Sequence, residues 1–483
     1  MKKTETQKLS MGTMICYGVG AMGEGIGYNV FFSFFSFFMT TIVGISPAIA
    51  GTVSTVAVLW DAVTDPMVGV WSDRTKNKNG RRRPFIRWGS LLFGLSIALL
   101  FINVTLPQAT KTFYYIAINM FYWLAMTSCV IPHTALGSEL TSDFNARTKL
   151  RSVAVIFLNT GTLIATSTPL LIVSFFAGIF GNDSNGWAAT GVIFGCLVAL
   201  VYNICYFATR GLESRNPNLE NAGRETGAQD KNWLGEFFRN AAVAFQNRDL
   251  KRLLSITFFF NIVVTLGTGL LVYVMTYVYG YDEAKSSLFY LVSGIAVIVA
   301  VIPVGFLANK FGKKAVMIGG LILWAVGFLV VGLLPQSDFL LFAVYSVCYF
   351  GNAAYWTMIY AMSYDASIVE QLKSGSRPDG LYTSMIGLFM KFGNALGTFI
   401  LGIGLELIGF DETLAVQPDS VIAGIRYLFA LGPAIALGVA VIPAIKYTMT
   451  QKKYEAYTQA LENKEVGLPY NEALLHEAGQ EER

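Results

Sequence analysis

Four ionisable residues lie inside apolar runs, where charge is costly: Glu24, Asp61, Asp65 and Lys391. A charge near the centre of a bilayer costs about 2.5–3.5 kcal/mol on insertion scales, so such residues face a cavity and find partners. Asp61 and Asp65 are separated by four positions, which places both carboxylates on one helix face, one turn apart. Adjacent carboxylates repel each other unless a proton or a cation intervenes. Hard oxygen ligands suit Na⁺, and a shared proton serves the same purpose. The pair is the candidate cation site and the one candidate for metal ligation. Lys391 offers a fixed positive charge able to replace the cation when the site is empty. The alternative for all three is an intramembrane salt bridge that only packs helices together.

Glu24 lies in the run Gly20-Ala21-Met22-Gly23-Glu24-Gly25-Ile26-Gly27. Small residues let helices approach closely, and they also leave room for a ligand beside the backbone. Glu24 is therefore either a substrate-facing carboxylate or a structural hydrogen-bond partner. His133, just after Pro132, is a second substrate candidate, with an interhelical hydrogen bond as its equal alternative. Tyr28, Trp123, Tyr355 and Trp356 offer flat faces for stacking on a sugar ring. With 14% aromatic residues overall, most rings must serve packing, and Tyr28 and Trp356 are carried forward as substrate candidates. The two histidines, His133 and His476, exclude a histidine metal centre. Cys16, Cys129, Cys196, Cys205 and Cys348 fall in apolar runs without CxxC spacing and read as fillers. No nucleophile–base pair, metal cluster or phosphate-cradling glycine loop points to an enzyme. No cofactor or nucleic-acid partner is implied, and no sizeable extramembrane domain points to a receptor.

The elements that must position these residues are membrane helices. Of 483 residues, 54% are hydrophobic and 14% charged, with mean hydropathy +0.52, whereas a soluble domain carries about 25% charged residues. Apolar runs between polar breaks give twelve spans, at 13–43, 47–72, 86–106, 112–137, 152–179, 187–209, 251–280, 284–308, 314–335, 338–366, 381–410 and 422–447. A bilayer requires roughly 20 apolar residues per span. The run after the polar Met1–Ser10 is too long for a cleaved signal peptide, so the first span is expected to be retained.

Breaks after even-numbered spans carry Arg74, Lys76, Lys78, Arg81, Arg82 and Arg83, then Arg147, Lys149 and Arg151, then Lys310, Lys313 and Lys314. Breaks after odd-numbered spans hold Lys111, Lys285 and Arg426. Positive loops stay cytoplasmic, so both termini are expected inside. The polar stretch 210–250, whose part Trp233–Asn247 reads as an amphipathic surface helix, separates two six-helix bundles at 1–209 and 251–447, and 448–483 is a cytoplasmic tail. An internal repeat supports the division: Gly69-Val70-Trp71-Ser72-Asp73-Arg74 with Gly80-Arg81-Arg82-Arg83, and Gly305-Phe306-Leu307-Ala308-Asn309-Lys310 with Gly312-Lys313-Lys314. Two halves repeated in parallel are how major-facilitator transporters are built. The expected fold is thus all-α, with twelve transmembrane helices in two bundles.

The second span carries Trp60-Asp61-Ala62-Val63-Thr64-Asp65-Pro66, followed by the basic stretch Gly80–Pro84. With Tyr17-Gly18-Val19-Gly20, Gly375-Ser376-Arg377-Pro378-Asp379-Gly380 and Met390-Lys391-Phe392-Gly393, this pattern resembles the glycoside–pentoside–hexuronide:cation symporters, the melibiose permease family, over nearly the whole chain. The resemblance implies that Asp61 and Asp65 bind the coupling cation, that Lys391 sits beside them, and that Thr127 in the fourth span lies near the cation. Two departures matter. The family's lysine–aspartate pair in the first helix reads Glu24-Gly25, and its fourth-helix aspartate and following tryptophan read Val130 and Thr134. The cation site is kept in its core while the galactoside site is not, so a simple galactoside is not the expected substrate.

The superfamily resemblance also implies a cytoplasmic latch made by Asp73, Arg74 and Arg81 in one half and Asp365 and Arg377 in the other, with anionic-lipid binding by the basic cluster as the alternative. The expected function is symport of a sugar, glycoside or related polar solute with Na⁺ or H⁺, by a monomer in the plasma or inner membrane. The alternative is a cation-dependent carrier of an amphipathic substrate such as a lysolipid, since those relatives share the paired aspartates and the lysine.

Overall fold

A computed structural model of the chain describes residues 9–75, 77, 80–141, 144–212, 245–374, 379–414 and 416–466. Among them the backbone is helical with short turns, and no strand occurs. The helices are α1 (Met11–Val30), α2 (Pro47–Arg74), α3 (Arg83–Leu100), α4 (Gln108–Glu139), α5 (Phe144–Ser167), α6 (Pro169–Phe180) and α7 (Asp183–Ala208). They continue with α8 (Arg248–Tyr273), α9 (Glu283–Phe311), α10 (Lys313–Leu333), α11 (Phe350–Ser374), α12 (Asp379–Leu407), α13 (Asp419–Lys446) and α14 (Gln451–Val466). Nine helices among the described residues are long and apolar enough to cross a membrane. The twelve expected spans each coincide with a helix or helix pair, the other three being α1, α3 and α11. The expected amphipathic helix at 233–247 falls almost entirely outside the described residues, as do Arg377 and the chain beyond 466.

Local chemistry sets the boundaries. Ser10 caps α1 by accepting the Thr13 N–H at 3.1 Å, and Asn182 caps α7 by accepting the Ser184 N–H at 2.7 Å; each satisfies a donor that a helix start leaves orphaned. Pro169 divides the fifth expected span into α5 and α6, because proline lacks the N–H that would continue the ladder. Gly312, at φ +84°, makes the tight passage from α9 to α10. Three spans depart from regular α-geometry. α1 runs on through two π-helical segments, Phe31–Phe35 and Phe38–Ile42; α8 ends in Val274–Val278; and Leu340–Tyr345 precedes α11.

By packing, the chain forms two compact units. The first comprises 1–229, 268–294 and 398–425, and the second 230–267, 295–397 and 426–483. Packing therefore divides α8, α9, α12 and α13 partway along their length, whereas the sequence repeat divides the chain in order. In the first unit α1 packs on α5 and α7, α3 on α4 and α7, and α2 on α4. The glycines of α1 are spent on these contacts. A Cβ on Gly25 would run into the Leu158 carbonyl of α5, and one on Gly23 into the Tyr202 ring of α7.

In the second unit α10 and α14 pack on α11. The segment leading into α14 is clamped by Asp249, whose carboxylate accepts the Thr448 N–H and hydroxyl at 2.9 and 2.7 Å and the Met449 N–H at 3.0 Å. At the other end of α14, Lys464 donates to the Leu372 carbonyl at 2.7 Å. The tail helix is thus anchored at both ends.

Candidate functional site

Three helices of the first unit each contribute two side chains one turn apart: Glu24 and Tyr28 from α1, Asp61 and Asp65 from α2, Trp123 and Thr127 from α4. The Thr127 hydroxyl lies 2.6 Å from Asp61 Oδ1 and 2.9 Å from Asp65 Oδ1. Asp61 and Thr127 are buried, at 3% and 2% exposure, and Asp65 is half-buried. A hydroxyl owns one hydrogen. It donates to one carboxylate, and the second short approach is favourable when the other carboxyl holds a proton or a cation lies among the oxygens. Pro66 lacks an N–H, so the Ala62 carbonyl has no helical partner one turn ahead. Among the described residues no group of three His, Cys, Asp or Glu side chains gathers as a multivalent-metal site would require. Two carboxylates and a hydroxyl thus gather as a set of oxygen donors alone.

Tyr28 is half-buried with its ring edge-on to Trp123 at 5.6 Å, and its hydroxyl lies within electrostatic reach of Glu24, Asp61 and Asp65. Glu24 is half-buried in turn and within electrostatic reach of Arg151 and Asp65. Arg151 is exposed, in an open recess lined also by Arg147, Ser152, Val155 and Ile156. In the sequence Arg151 counted only as a topology signal. A basic residue at the start of a span serves either purpose, and only its placement toward Glu24 separates them.

His133, expected at the substrate, is committed to α1. Its Nε2 lies 3.0 Å from the Tyr17 carbonyl, the Tyr17 hydroxyl donates to the His133 carbonyl at 3.2 Å, and the two rings stack at 4.4 Å. The imidazole is buried, and it fills the space that Gly20 leaves, a Cβ there lying 2.7 Å from Nε2. This is the interhelical alternative, a lock that fixes α1 against α4. Lys391 and Trp356 belong to the second unit. Lys391 is half-buried on α12, and the next turn of that helix packs closely on α8, where a Cβ on Gly393 would meet the Phe258 carbonyl. Trp356 is 38% exposed on α11, edge-on to Tyr355 at 5.3 Å.

Three of the expected latch residues, Asp73, Arg81 and Asp365, close onto partners inside their own units. Arg82 Nη2 meets Asp73 Oδ1 at 2.7 Å, while Arg82 Nε and Arg81 Nη2 both lie 2.6 Å from Glu139 Oε1. Glu139, at the end of α4, is buried and was missed in the sequence, where a lone carboxylate at a span end carries no pattern. In the second unit Lys313 Nζ meets Asp365 Oδ2 at 2.6 Å. The internal repeat thus extends from motif to ion pair. A basic residue opening the third helix of each half binds a carboxylate near the end of the fourth. Arg83 goes elsewhere: its guanidinium donates to the Tyr206 carbonyl at 2.6 Å and stacks over the Tyr206 ring at 4.3 Å, a cation placed where the α7 C-terminus is negative. Arg74 closes α2, and Arg377 lies outside the described residues.

Long apolar helices, an internal repeat and charged side chains gathered inside the bundle define a multi-pass membrane transporter of the major-facilitator fold, not an enzyme. The fold is shared with a bacterial homologue of the human lysosomal transporter Spinster in an inward-facing conformation, at TM-score 0.67 and 14% identity over 93% of this chain and 97% of that one. It is shared also with a D-xylose–proton symporter, at TM-score 0.63 and 13% identity over 90% of this chain and 96% of that one. The chain belongs to the MFS/sugar transport protein family, whose model matches residues 16–451. Similar proteins include an uncharacterized symporter, YjmB, of Bacillus subtilis (strain 168), 27% identical over 95% of this chain and 97% of its own. The isoprimeverose transporter of Lactiplantibacillus pentosus is 23% identical over 89% and 87%, and the inner membrane symporter YicJ of Escherichia coli (strain K12) 24% identical over 92% and 93%.

Proposed function

We propose that this protein is a symporter that moves a sugar or glycoside together with Na⁺ or H⁺ by alternating access. The observation that carries the reading is the Thr127 hydroxyl set between Asp61 and Asp65, two carboxylates one turn apart in an apolar helix. Such a nest binds its cation tightly in one access state and releases it in another. That differential affinity is what links a cation gradient to solute movement. Lys391 is the counter-charge that stabilises the pair when the cation has left. Glu24 and Tyr28 bind the solute, with Trp356 as an aromatic face and His133 acting through Tyr17 and α1. A relative named as a symporter supports coupled transport, one named as an isoprimeverose transporter supports a glycosidic solute, and the lysolipid alternative draws no support from them. The basic breaks after even-numbered spans favour cytoplasmic termini, and the relative named as an inner membrane symporter supports a plasma or inner membrane. The protein acts as a monomer.

Uptake by the purified protein in proteoliposomes tests this. A labelled glycoside panel is offered with an inward Na⁺ gradient, with an inward proton gradient, and with neither. Accumulation above equilibrium under one of the two gradients is expected. Equilibration at the same rate and level in all three conditions, for solutes the protein binds, excludes symport.

A further inference from the structure

Arg87 lies one turn into α3, about 6 Å along the helix from Arg83 at 1.5 Å per residue, and it is half-buried among rings. Its guanidinium carbon is 5.2 Å from the centre of the Tyr206 ring, 5.6 Å from that of Trp88 and 5.9 Å from that of Phe207. Its Nη1 reaches the Tyr206 hydroxyl only at 3.4 Å, long for a hydrogen bond. Aromatic faces attract a cation without neutralising it. Among the described residues no carboxylate meets Arg87: at this end of the unit Glu139 is taken by Arg81 and Arg82, and Asp73 by Arg82. A guanidinium holds five N–H donors in a planar fork, and here most of the fork has no protein acceptor.

The surroundings are those of a lipid headgroup. Trp88 and Phe207 are 62% and 61% exposed, and interfacial aromatic rings sit at headgroup level. Both lie within 6 Å of Arg87, so two exposed apolar stripes start from the same spot. One continues along α3 as Leu91 and Leu95, the other along α7 as Ile204 and Leu200. The two helices adjoin closely, since a Cβ on Gly94 would lie 2.4 Å from the Gly195 carbonyl oxygen.

We propose that Arg87 anchors a binding site for one anionic phospholipid, with the phosphate on the guanidinium fork and the acyl chains on the leucine and isoleucine stripes of α3 and α7. The fork matches two phosphate oxygens at once, and the rings of Tyr206, Trp88 and Phe207 hold its plane. A zwitterionic lipid brings an ammonium beside its own phosphate, whereas an anionic lipid leaves that negative charge whole, so the site prefers the anionic one. The bound lipid staples α3 to α7. Its place in the cytoplasmic leaflet rests on the orientation proposed above; its preference for anionic lipid does not.

The test uses the full chain in nanodiscs of ordinary phosphatidylcholine, titrated with either phosphatidylglycerol or phosphatidylcholine brominated in the acyl chains, which quench nearby tryptophan. The signal of Trp88 is the difference between the parent chain and Trp88→Phe. Half-maximal quenching of Trp88 should need about five-fold less brominated phosphatidylglycerol than brominated phosphatidylcholine, the weight of one basic residue beside an anionic lipid. Arg87→Gln should make the two lipids equal, and Arg87→Lys, which keeps the charge, should keep the preference. Excess inorganic phosphate should not relieve the quenching. Equal quenching by the two lipids in the parent chain, or a preference undiminished in Arg87→Gln, overturns the site, and relief by inorganic phosphate shows a free-anion site in its place. If Arg87→Gln does not fold, the parent chain and Arg87→Lys decide. The two leaflets of a nanodisc are alike and no transport is assayed, so the result stands apart from both the orientation and the symport reading.

Discussion

Thr127→Ala isolates the chemistry of the proposed cation nest more cleanly than removing a carboxylate, because it leaves the charge of the site unchanged. The hydroxyl lies 2.6 and 2.9 Å from two carboxylate oxygens, and both Thr127 and Asp61 are almost fully buried, so water cannot stand in for it without rearrangement. A hydrogen bond to a charged group contributes about 1.5–3 kcal/mol, against about 1 for a neutral one. If the hydroxyl is a ligand in the loaded site, losing it should weaken apparent cation affinity by about 10- to 100-fold, at 1.4 kcal/mol per tenfold. The substitution also removes a methyl group, worth about 0.8 kcal/mol of burial, so Thr127→Ser is the control that keeps the hydroxyl and loses only packing. The assay is the cation concentration giving half-maximal uptake in proteoliposomes, measured for the three proteins at saturating solute. Thr127→Ser should stay within a few-fold of the parent while Thr127→Ala shifts by an order of magnitude or more. Equal damage in both variants assigns the effect to packing, and an unshifted Thr127→Ala removes the hydroxyl from the cation site.

Two further outcomes follow from the same geometry. Glu24→Gln keeps the size of the side chain but removes the charge beside Arg151, and should weaken solute affinity at least tenfold while leaving the half-maximal cation concentration within about threefold; unaltered solute binding returns Glu24 to a packing role. Glu139→Gln strips the carboxylate shared by Arg81 and Arg82 and should cost up to about 3 kcal/mol, the low end of the buried-pair range because Arg82 keeps Asp73 and Arg81 reaches water; thermal unfolding in detergent reads it, and an unchanged midpoint would show the pairs to be surface ornaments.

The helices were legible because an apolar run of bilayer length leaves few alternatives, and each expected span holds a helix. Their interruptions were less so. Pro169 is visible in the sequence after Thr166-Ser167-Thr168, yet no charged residue marks a break there and the stretch reads as one span. The π turns of α1 and α8 leave no trace in hydrophobic periodicity, since five residues are too few to tell one helical period from another and none of them is charged. In the site, Asp61 and Asp65 announced themselves through their spacing, a local property. His133 did not disclose its commitment to Tyr17, because the partner is 116 residues away and the bond is made to a backbone carbonyl, which has no residue type to read. Glu139 was lost for the complementary reason: its partners Arg81 and Arg82 were noticed, but as topology signals and, for Arg81, as part of a latch with other partners, and a buried carboxylate at a helix end looks in sequence like any exposed one. The glycines of α1 admit two readings, and neighbours contributed by α5 and α7 decide between them in favour of close packing.

The central proposal is that Asp61 and Asp65 convert a cation gradient into solute accumulation, and Asp65→Asn tests it most directly. The variant should bind solute and exchange it across the membrane in counterflow, which shows that it is folded and can alternate. Under the cation gradient that drives the parent protein it should nonetheless bring internal solute only to the external level. Accumulation above that level, with the parent's cation dependence, would contradict the coupling role of the pair.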